Sequence, residues 1–373
     1  MRGTQIRKAA VVLVGFALAI LLVACGGGSS KSTTSATKPA ASGGTTAKKI
    51  GLLLPEVKTA RYEQFDRPIF TQKVKALCPI CTVLYQNAAQ DAQKQQAQAE
   101  AMLTNGVSVL VLDAVDVGSV GPIVKEAKAR KVPVIAYDRL ISDQDIASYV
   151  SFNNVRQGRI QAQTLLDKLG KTSKPIVMIN GAPTDPSAGD YKHGAHQIFD
   201  KSSLKIAKEY DTSDWSPDKA QREMEQAITA LGKTGFSGVY SANDGMASGA
   251  IAALKGAGID PKSLPITGGD GELAAIQRIL AGEQYSTIYL TIKKQASVAA
   301  ELAVALSQGK PLPASLINAQ VKNGFKQVPS VLLTPVAVTK SNIQDTVIKD
   351  GVYTPAQICT GKYAADCKAA GIQ

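Results

Sequence analysis

The sequence predicts an α/β protein of two domains, each a parallel sheet covered by helices on both faces. Three observations carry that prediction. From Lys48 onward, short and continuously apolar runs alternate with amphipathic stretches. The segment they occupy is longer than one hydrophobic core comfortably organises. Polar residues gather where the apolar runs end, at Asp113, Asp138-Arg139, Asn243-Asp244 and Asp270. The carboxyl ends of parallel strands are where open α/β sheets take ligands, so a cleft fed by strand-end loops from both halves follows.

Residues 50–54 (IGLLL) contain no polar side chain and read as a buried strand. Residues 65–77 place Phe65, Ile69, Phe70, Val74 and Leu77 at helical intervals. A strand over 82–85 follows, then a helix over 89–104 rich in Gln and Ala, both good helix formers. The same reasoning gives a strand over 107–112, a helix over 119–130 and a strand over 132–136. In the second half, helices are predicted over 157–169, 193–201, 218–231, 246–257, 272–281 and 293–307. Between them lie strands over 175–179, 205–209, 238–240, 265–267 and 286–289. Apolar strands separated by helices imply parallel pairing throughout.

The first residues are not part of this pattern. Arg2, Arg7 and Lys8 precede an unbroken apolar or small run from Ala9 to Ala24, shorter than the roughly 20 residues a membrane-spanning helix needs. The run ends in Leu22-Val23-Ala24-Cys25, which resembles a bacterial lipobox: residues 1–24 form a lipoprotein signal peptide and Cys25 is the lipidation site. Two acyl chains there give durable anchoring. Residues 26–47 hold only Gly, Ser, Thr, Ala, Lys and Pro, so 25–47 is a disordered tether. Processing takes the formal charge from +12 to +9, a balance that suits an anionic membrane or cell wall. Nucleic acid is not a partner: the basic residues are scattered and the protein is exported.

Four cysteines remain after Cys25. Cys78 lies close to Cys81 and Cys359 to Cys367, which makes 78–81 and 359–367 the natural disulfides. A redox-active Cys78-Pro79-Ile80-Cys81 would need a helix N-terminus to depress a thiol pKa, and this motif follows a helix. A zinc site would need the distant pair to converge on it. His193 and His196, three apart, have no evident third metal ligand and read as a solvated helical pair. No metal or other cofactor is expected. There is no G-x-x-x-x-G-K-[ST] or G-x-G-x-x-G phosphate loop, and Gly268-Gly269-Asp270-Gly271 is a turn. The chain is read as a binding protein, not an enzyme.

The strand-end residues and the stretches VPVIAYDRLI (132–141), YVSFNN (149–154), SANDGMASGAIAALKGAG (241–258), GELAAIQRILAGEQ (271–284) and LLTPVAVTKSNIQDTVIKDG (332–351) resemble the periplasmic sugar-binding proteins of ABC transporters. Within that family, whose fold is of the ribose-binding-protein type, they resemble the D-xylose-binding proteins. The resemblance implies two Rossmann-like lobes (periplasmic binding protein type I) joined by three crossovers, near 151–154, 288–291 and 332–335. It implies an N-terminal lobe of 48–152 plus 290–333 and a C-terminal lobe of 153–289 plus 334–373. The implied ligand residues are Arg61, Tyr62, Asp138, Arg139, Ser187, Trp215, Asn243 and Asp270, with Asp244 as the helix cap beside Asn243. This set suits a sugar, whose hydroxyls both donate and accept and whose C–H face packs on an aromatic ring. Departures from the xylose-binding pattern stand at Leu290 (Lys in relatives), Thr291 (Pro), Gly269 (Gln) and Pro186-Ser187 (Asn-Asn). They remove donors and bear on which sugar is bound. The implied role is that of a monomeric solute-binding protein handing a monosaccharide to an ABC permease. Presentation of the loaded protein to a chemotaxis or sensor-kinase receptor is the alternative.

Overall fold

A strand with no polar side chain between Ile50 and Leu54 must be covered on both faces, and it is. The computed structural model describes residues 47–372; the signal peptide, Cys25 and nearly all of the tether lie outside them. The chain runs through β1 (Lys49–Leu54), a π-type turn at Tyr62–Asp66, α1 (Arg67–Leu77), β2 (Thr82–Asn87), α2 (Ala92–Thr104), β3 (Val109–Leu112), α3 (Gly121–Ala129), β4 (Val134–Tyr137) and β5 (Ile146–Phe152). It continues through α4 (Asn154–Leu169), β6 (Ile176–Asn180), α5 (Pro186–Phe199), β7 (Ile206–Asp211), α6 (Pro217–Leu231), β8 (Gly238–Ser241), α7 (Asp244–Gly256), α8 (Leu273–Ala281) and β9 (Ser286–Tyr289). The return comprises α9 (Ile292–Ser307), β10 (Ala319–Lys322), β11 (Gln327–Leu333), β12 (Val336–Thr339) and the short helices α10 (Pro355–Ile358) and α11 (Ala364–Ala369).

One sheet has seven strands in the order β10-β11-β5-β4-β3-β1-β2. Its two faces carry separate apolar clusters, one built on Ile50, Val111, Ile135 and α9, the other on Leu53, Leu110, Met102 and Val124. The second lobe centres on β7-β6-β8, extended by a bridge between Val239 and Ile266 and by Ile288 N–H donating to Gly268 O at 3.1 Å. Its core gathers Met178, Ile179, Tyr240 and Leu254. A further cluster packs the C-terminal tail, including Tyr353, Ile358 and Cys367, against Ile276 and Leu280 of α8. The chain crosses between the sheets after β5, after β9 and after β11. Cys78–Cys81 and Cys359–Cys367 are both bonded, with Cα separations of 5.3 and 5.7 Å.

Four expectations are corrected. Pairing is mostly parallel, but β10–β11 and β12–β9 are antiparallel; for β10–β11 the four-residue turn at 323–326 is too short for a parallel crossover. The helix expected at 193–201 begins at Pro186, where the Asp185 carboxylate accepts from Ser187 N–H at 2.8 Å and caps it. Pro at the first helical position is a start signal, here hidden among small residues. The strand expected at 265–267 is reduced to the bridge at Ile266. Asn243, not Asp244, caps α7: its Oδ1 accepts from Met246 N–H at 2.9 Å. Asp244 is fully buried instead, accepting from Thr287 Oγ1 (2.7 Å), Gln284 Nε2 (2.7 Å) and Glu272 N–H (2.9 Å).

Candidate functional site

The loops after β1 and β4 face those after β6, β7, β8 and the 265–268 bridge across a narrow cavity of about 20 Å³. On the first-lobe wall stand Thr59, Arg61, Tyr62, Asp138 and Arg139; on the other, Asp185, Tyr191, Trp215, Asn243 and Asp270. Seven of the eight ligand residues implied by the sequence thus line one space. The eighth, Ser187, does not: it lies in the first turn of α5, buried, where its hydroxyl accepts from Asn154 Nδ2 at 3.1 Å. Thr59, Asp185 and Tyr191 were missed. The Asp-Pro step at 185–186 was the readable signal, since Asp before Pro announces a capped helix.

Asp138 organises the first wall. It has φ +62°, a left-handed conformation that an Asp tolerates better than most residues. The conformation is held from behind, where the Asp138 carbonyl accepts from Ser151 Oγ (2.7 Å) and Tyr149 OH (3.1 Å). Its carboxylate accepts from Arg61 Nη1 (3.1 Å), Gln295 Nε2 (3.0 Å) and Tyr62 OH (3.0 Å). Burial alone raises a carboxyl pKa, but Arg61, the Gln295 hydrogen bond and Arg139 outweigh it, and Asp138 is held below its ordinary range. Arg61 is itself clamped, donating to Asp66 from Nε (3.0 Å) and Nη2 (2.9 Å) and bonding Gln295 Oε1.

Arg139 is almost fully buried. Nη1 donates to the carbonyls of Ala114 (2.9 Å) and Val115 (3.2 Å), and Nε lies 3.0 Å from Asp185 Oδ2 and 3.4 Å from Asp113 Oδ1. Most of its donors therefore serve the protein, and its pairing with Asp185 joins the two walls. A second link is made at the lip, where Lys58 Nζ lies 2.7 Å from Asp214 Oδ2.

Trp215, the only Trp in the chain, donates from Nε1 to Asp185 Oδ2 at 3.2 Å and meets Tyr191 edge-on at 6.3 Å. Gly181 makes room for it: a Cβ there would lie 2.1 Å from the indole ring. Asn243 spends Oδ1 on the helix cap, and among the described residues its Nδ2 has no partner. Asp270, at φ +88°, likewise has no hydrogen bond to either carboxylate oxygen among the described residues. Burial pushes its pKa well above the ordinary value, more than Arg61 pulls it down. The positions that depart from the xylose-binding pattern lie outside the lining. Leu290 is buried in the first lobe's core, and a Cβ at Gly269 would come within 2.6 Å of the Ala242 carbonyl. His193 and His196 sit apart on α5, His196 between Asp200 (3.0 Å) and Glu209 (3.1 Å).

The cavity offers anionic and amide hydrogen-bonding groups beside aromatic rings. Residues 50–311 match the model of the periplasmic binding protein domain. The chain is 37% identical over 314 residues to the D-xylose-binding periplasmic protein of Escherichia coli, covering 83% of this chain and 92% of that one. It is 33% identical to a multiple sugar-binding periplasmic receptor of Rhizobium radiobacter, covering 72% and 81%. An ABC transporter solute-binding protein from Clostridium phytofermentans, solved with bound β-D-glucose, superposes with a TM-score of 0.75 at 27% identity, covering 83% of this chain and all of that one.

Proposed function

This chain belongs to the periplasmic binding protein domain family, and from that premise we propose that it captures a monosaccharide, an aldose such as xylose, for an ABC importer. The observation that carries the reading is the contrast across one cavity: Asp138 is fully paired and ionised, while Asp270 and the Asn243 Nδ2 have no partner among the described residues. A sugar seated on the first wall gives its remaining hydroxyls to the second only when the lobes meet, so its differential affinity drives closure. Arg61, Tyr62, Asp138 and Arg139 receive the sugar; Trp215 covers its C–H face; Asn243 and Asp270 complete the grip. The mature protein acts as a monomer outside the cytoplasm, held to the membrane by acylated Cys25, and the closed lobes present themselves to a permease. No residue is assigned a catalytic role.

The test is a thermal-shift and calorimetric screen of the chain from Gly26 onward against pentoses, hexoses, deoxy sugars, polyols and nucleosides. A true ligand at 100 times its dissociation constant adds about 2.7 kcal/mol of stability. A shift with one or a few aldoses is the expected result. Silence from every sugar with a response to another class overturns the sugar reading.

A further inference from the structure

The parallel strands of the seven-stranded sheet all begin at one pole, the end opposite the cavity. Register places Lys49 beside Thr82 there, and antiparallel β10 returns to the same pole so that Lys322 faces Gln327. Residue 47, where the described chain begins, also lies at this pole, directly before β1. Among the described residues five large apolar side chains are exposed, and three of them, Leu77 (44%), Ile80 (48%) and Phe325 (66%), stand at this pole.

Both places that carry them are pinned. Ile80 is held out by the Cys78–Cys81 bridge, whose sulfurs' residues are buried. Phe325 sits at the tip of the β10–β11 turn, which Asn323 fixes from beneath. Asn323 Nδ2 donates to the Ile141 and Asp143 carbonyls (3.0 and 2.6 Å), and its Oδ1 accepts from Phe325 and Lys326 N–H (3.2 and 3.0 Å). The two apolar points flank the sheet, five strand spacings or about 24 Å apart. Lys49, Lys131, Lys322 and Lys326 are exposed at the same pole and make no ion pair among the described residues. The carboxylates nearby are engaged: Asp145 by Lys128 at 2.9 Å, Glu126 by Arg130 at 2.7 Å, and Asp143 by a backbone N–H at 2.8 Å.

We propose that this pole is a docking face for an anionic lipid bilayer, with Phe325 and the Leu77–Ile80 loop entering the interface and the lysines meeting the headgroups. Rigidly held aromatic and aliphatic tips ringed by lysine suit the boundary between headgroup and acyl chain. The chain between Cys25 and residue 47 leads to this face, so anchoring, on the reading given above, delivers it to the membrane. Contact there leaves the cavity and the second lobe, beyond the opposite ends of these strands, clear of the bilayer; its weakness allows release for docking on a permease. The lipid anchor supplies only this orientation, and the face binds vesicles without acylation.

The experiment uses the chain from Gly26 onward, which contains every described sheet and all four apolar clusters, in sedimentation with vesicles. It is expected to bind vesicles of about one-third phosphatidylglycerol, to ignore pure phosphatidylcholine, and to lose binding in about 0.5 M salt. Lys322→Glu with Lys326→Glu should lower partitioning roughly tenfold or more, and Phe325→Ser should lower it too, with sugar binding unchanged in both. Lys168→Glu with Lys262→Glu, in a basic groove on the other lobe, should leave partitioning intact. No vesicle binding, equal binding by the pole variants, or loss of binding only in the other-lobe variant overturns the proposal. Sugar binding measured on the same samples separates that failure from failure of the sugar reading.

Discussion

The two walls of the cavity contain similar residues in opposite states. On the first, Asp138 is surrounded by Arg61, Tyr62 and Gln295, and Arg61 by Asp66 and Gln295, so the donors and acceptors meet one another before any ligand arrives. On the second, Asp270 and the Asn243 Nδ2 have no partner among the described residues, although both residues line the cavity. On the function proposed above, the difference makes the first wall a preorganised receptor, whereas Asp270 and the Asn243 Nδ2 gain their partners with a ligand between the lobes. A buried network that is satisfied rigidifies its surroundings; an unsatisfied buried group costs free energy until something meets it.

The strongest way to break this contrast is Arg61→Ala. It leaves Asp66 and Asp138 buried without their cation, and removing one partner of a buried pair costs about 3–5 kcal/mol. Chemical denaturation should show that loss, together with loss of sugar binding. A midpoint within error of wild type would mean that the first wall is not held by this network. On the second wall, Asp270→Asn should weaken sugar binding by about 1.5–3 kcal/mol in calorimetry, the range for a charged hydrogen bond. Unchanged affinity would remove Asp270 from the site.

The same variant carries a pH signature whose sign differs from that of the first wall. Asp270 has its folded pKa raised above the ordinary 3.8, so the folded state holds its proton longer than the unfolded state. Its effect on stability is therefore a penalty that grows as pH rises above about 4. Asp138, with its folded pKa lowered, contributes stability present above the unfolded value and lost as pH falls through the folded one. Without sugar, Asp270→Asn should gain stability relative to wild type as pH is raised from 4 towards neutrality, whereas Asp138→Asn should lose its deficit as pH falls. Parallel pH–stability curves for wild type and Asp270→Asn would refute the strained second wall.

Gly181→Ala sharpens the comparison from packing. Its Cβ would meet the Trp215 ring at 2.1 Å, and overpacking of this kind costs about 1–3 kcal/mol. A lower melting temperature and weaker sugar binding are expected, with Trp fluorescence shifted; an unshifted spectrum would show that the ring has not moved. The smallest effect belongs to Lys58→Ala. The Lys58–Asp214 pair is part-exposed, so its loss should change sugar affinity by less than about 1 kcal/mol. A larger change would make the lip, and not the cavity walls, the main clasp.

How far the sequence could be read depended on the kind of signal. Continuous apolar runs such as VLVL at 109–112 and VIAY at 134–137 declare buried strands because each residue must be covered. The late strands β10 and β12, four residues each, are exposed or half-buried at every position but one, and they are too short for a period to stand out. Asp185 was passed over because a capping Asp and a cavity-lining Asp look alike in one dimension. Ser187 was placed in the site because its loop was taken to run past the point where α5 in fact starts.

By itself the sequence determined the α/β class, two lobes and the strand-end positions of Asp138, Arg139, Asn243 and Asp270, since periodicity and strand ends are local properties of the chain; Arg61, Tyr62 and Trp215 were implied only by the family resemblance. Only the tertiary structure decided which of those groups are already paired. Arg61 reaches Gln295 across 234 residues and Asp138 reaches it across 157, and no local pattern encodes a contact of that separation. The same holds for the pole opposite the cavity, where Ile80 and Phe325 become neighbours of one surface only because six strands start at the same end of one sheet.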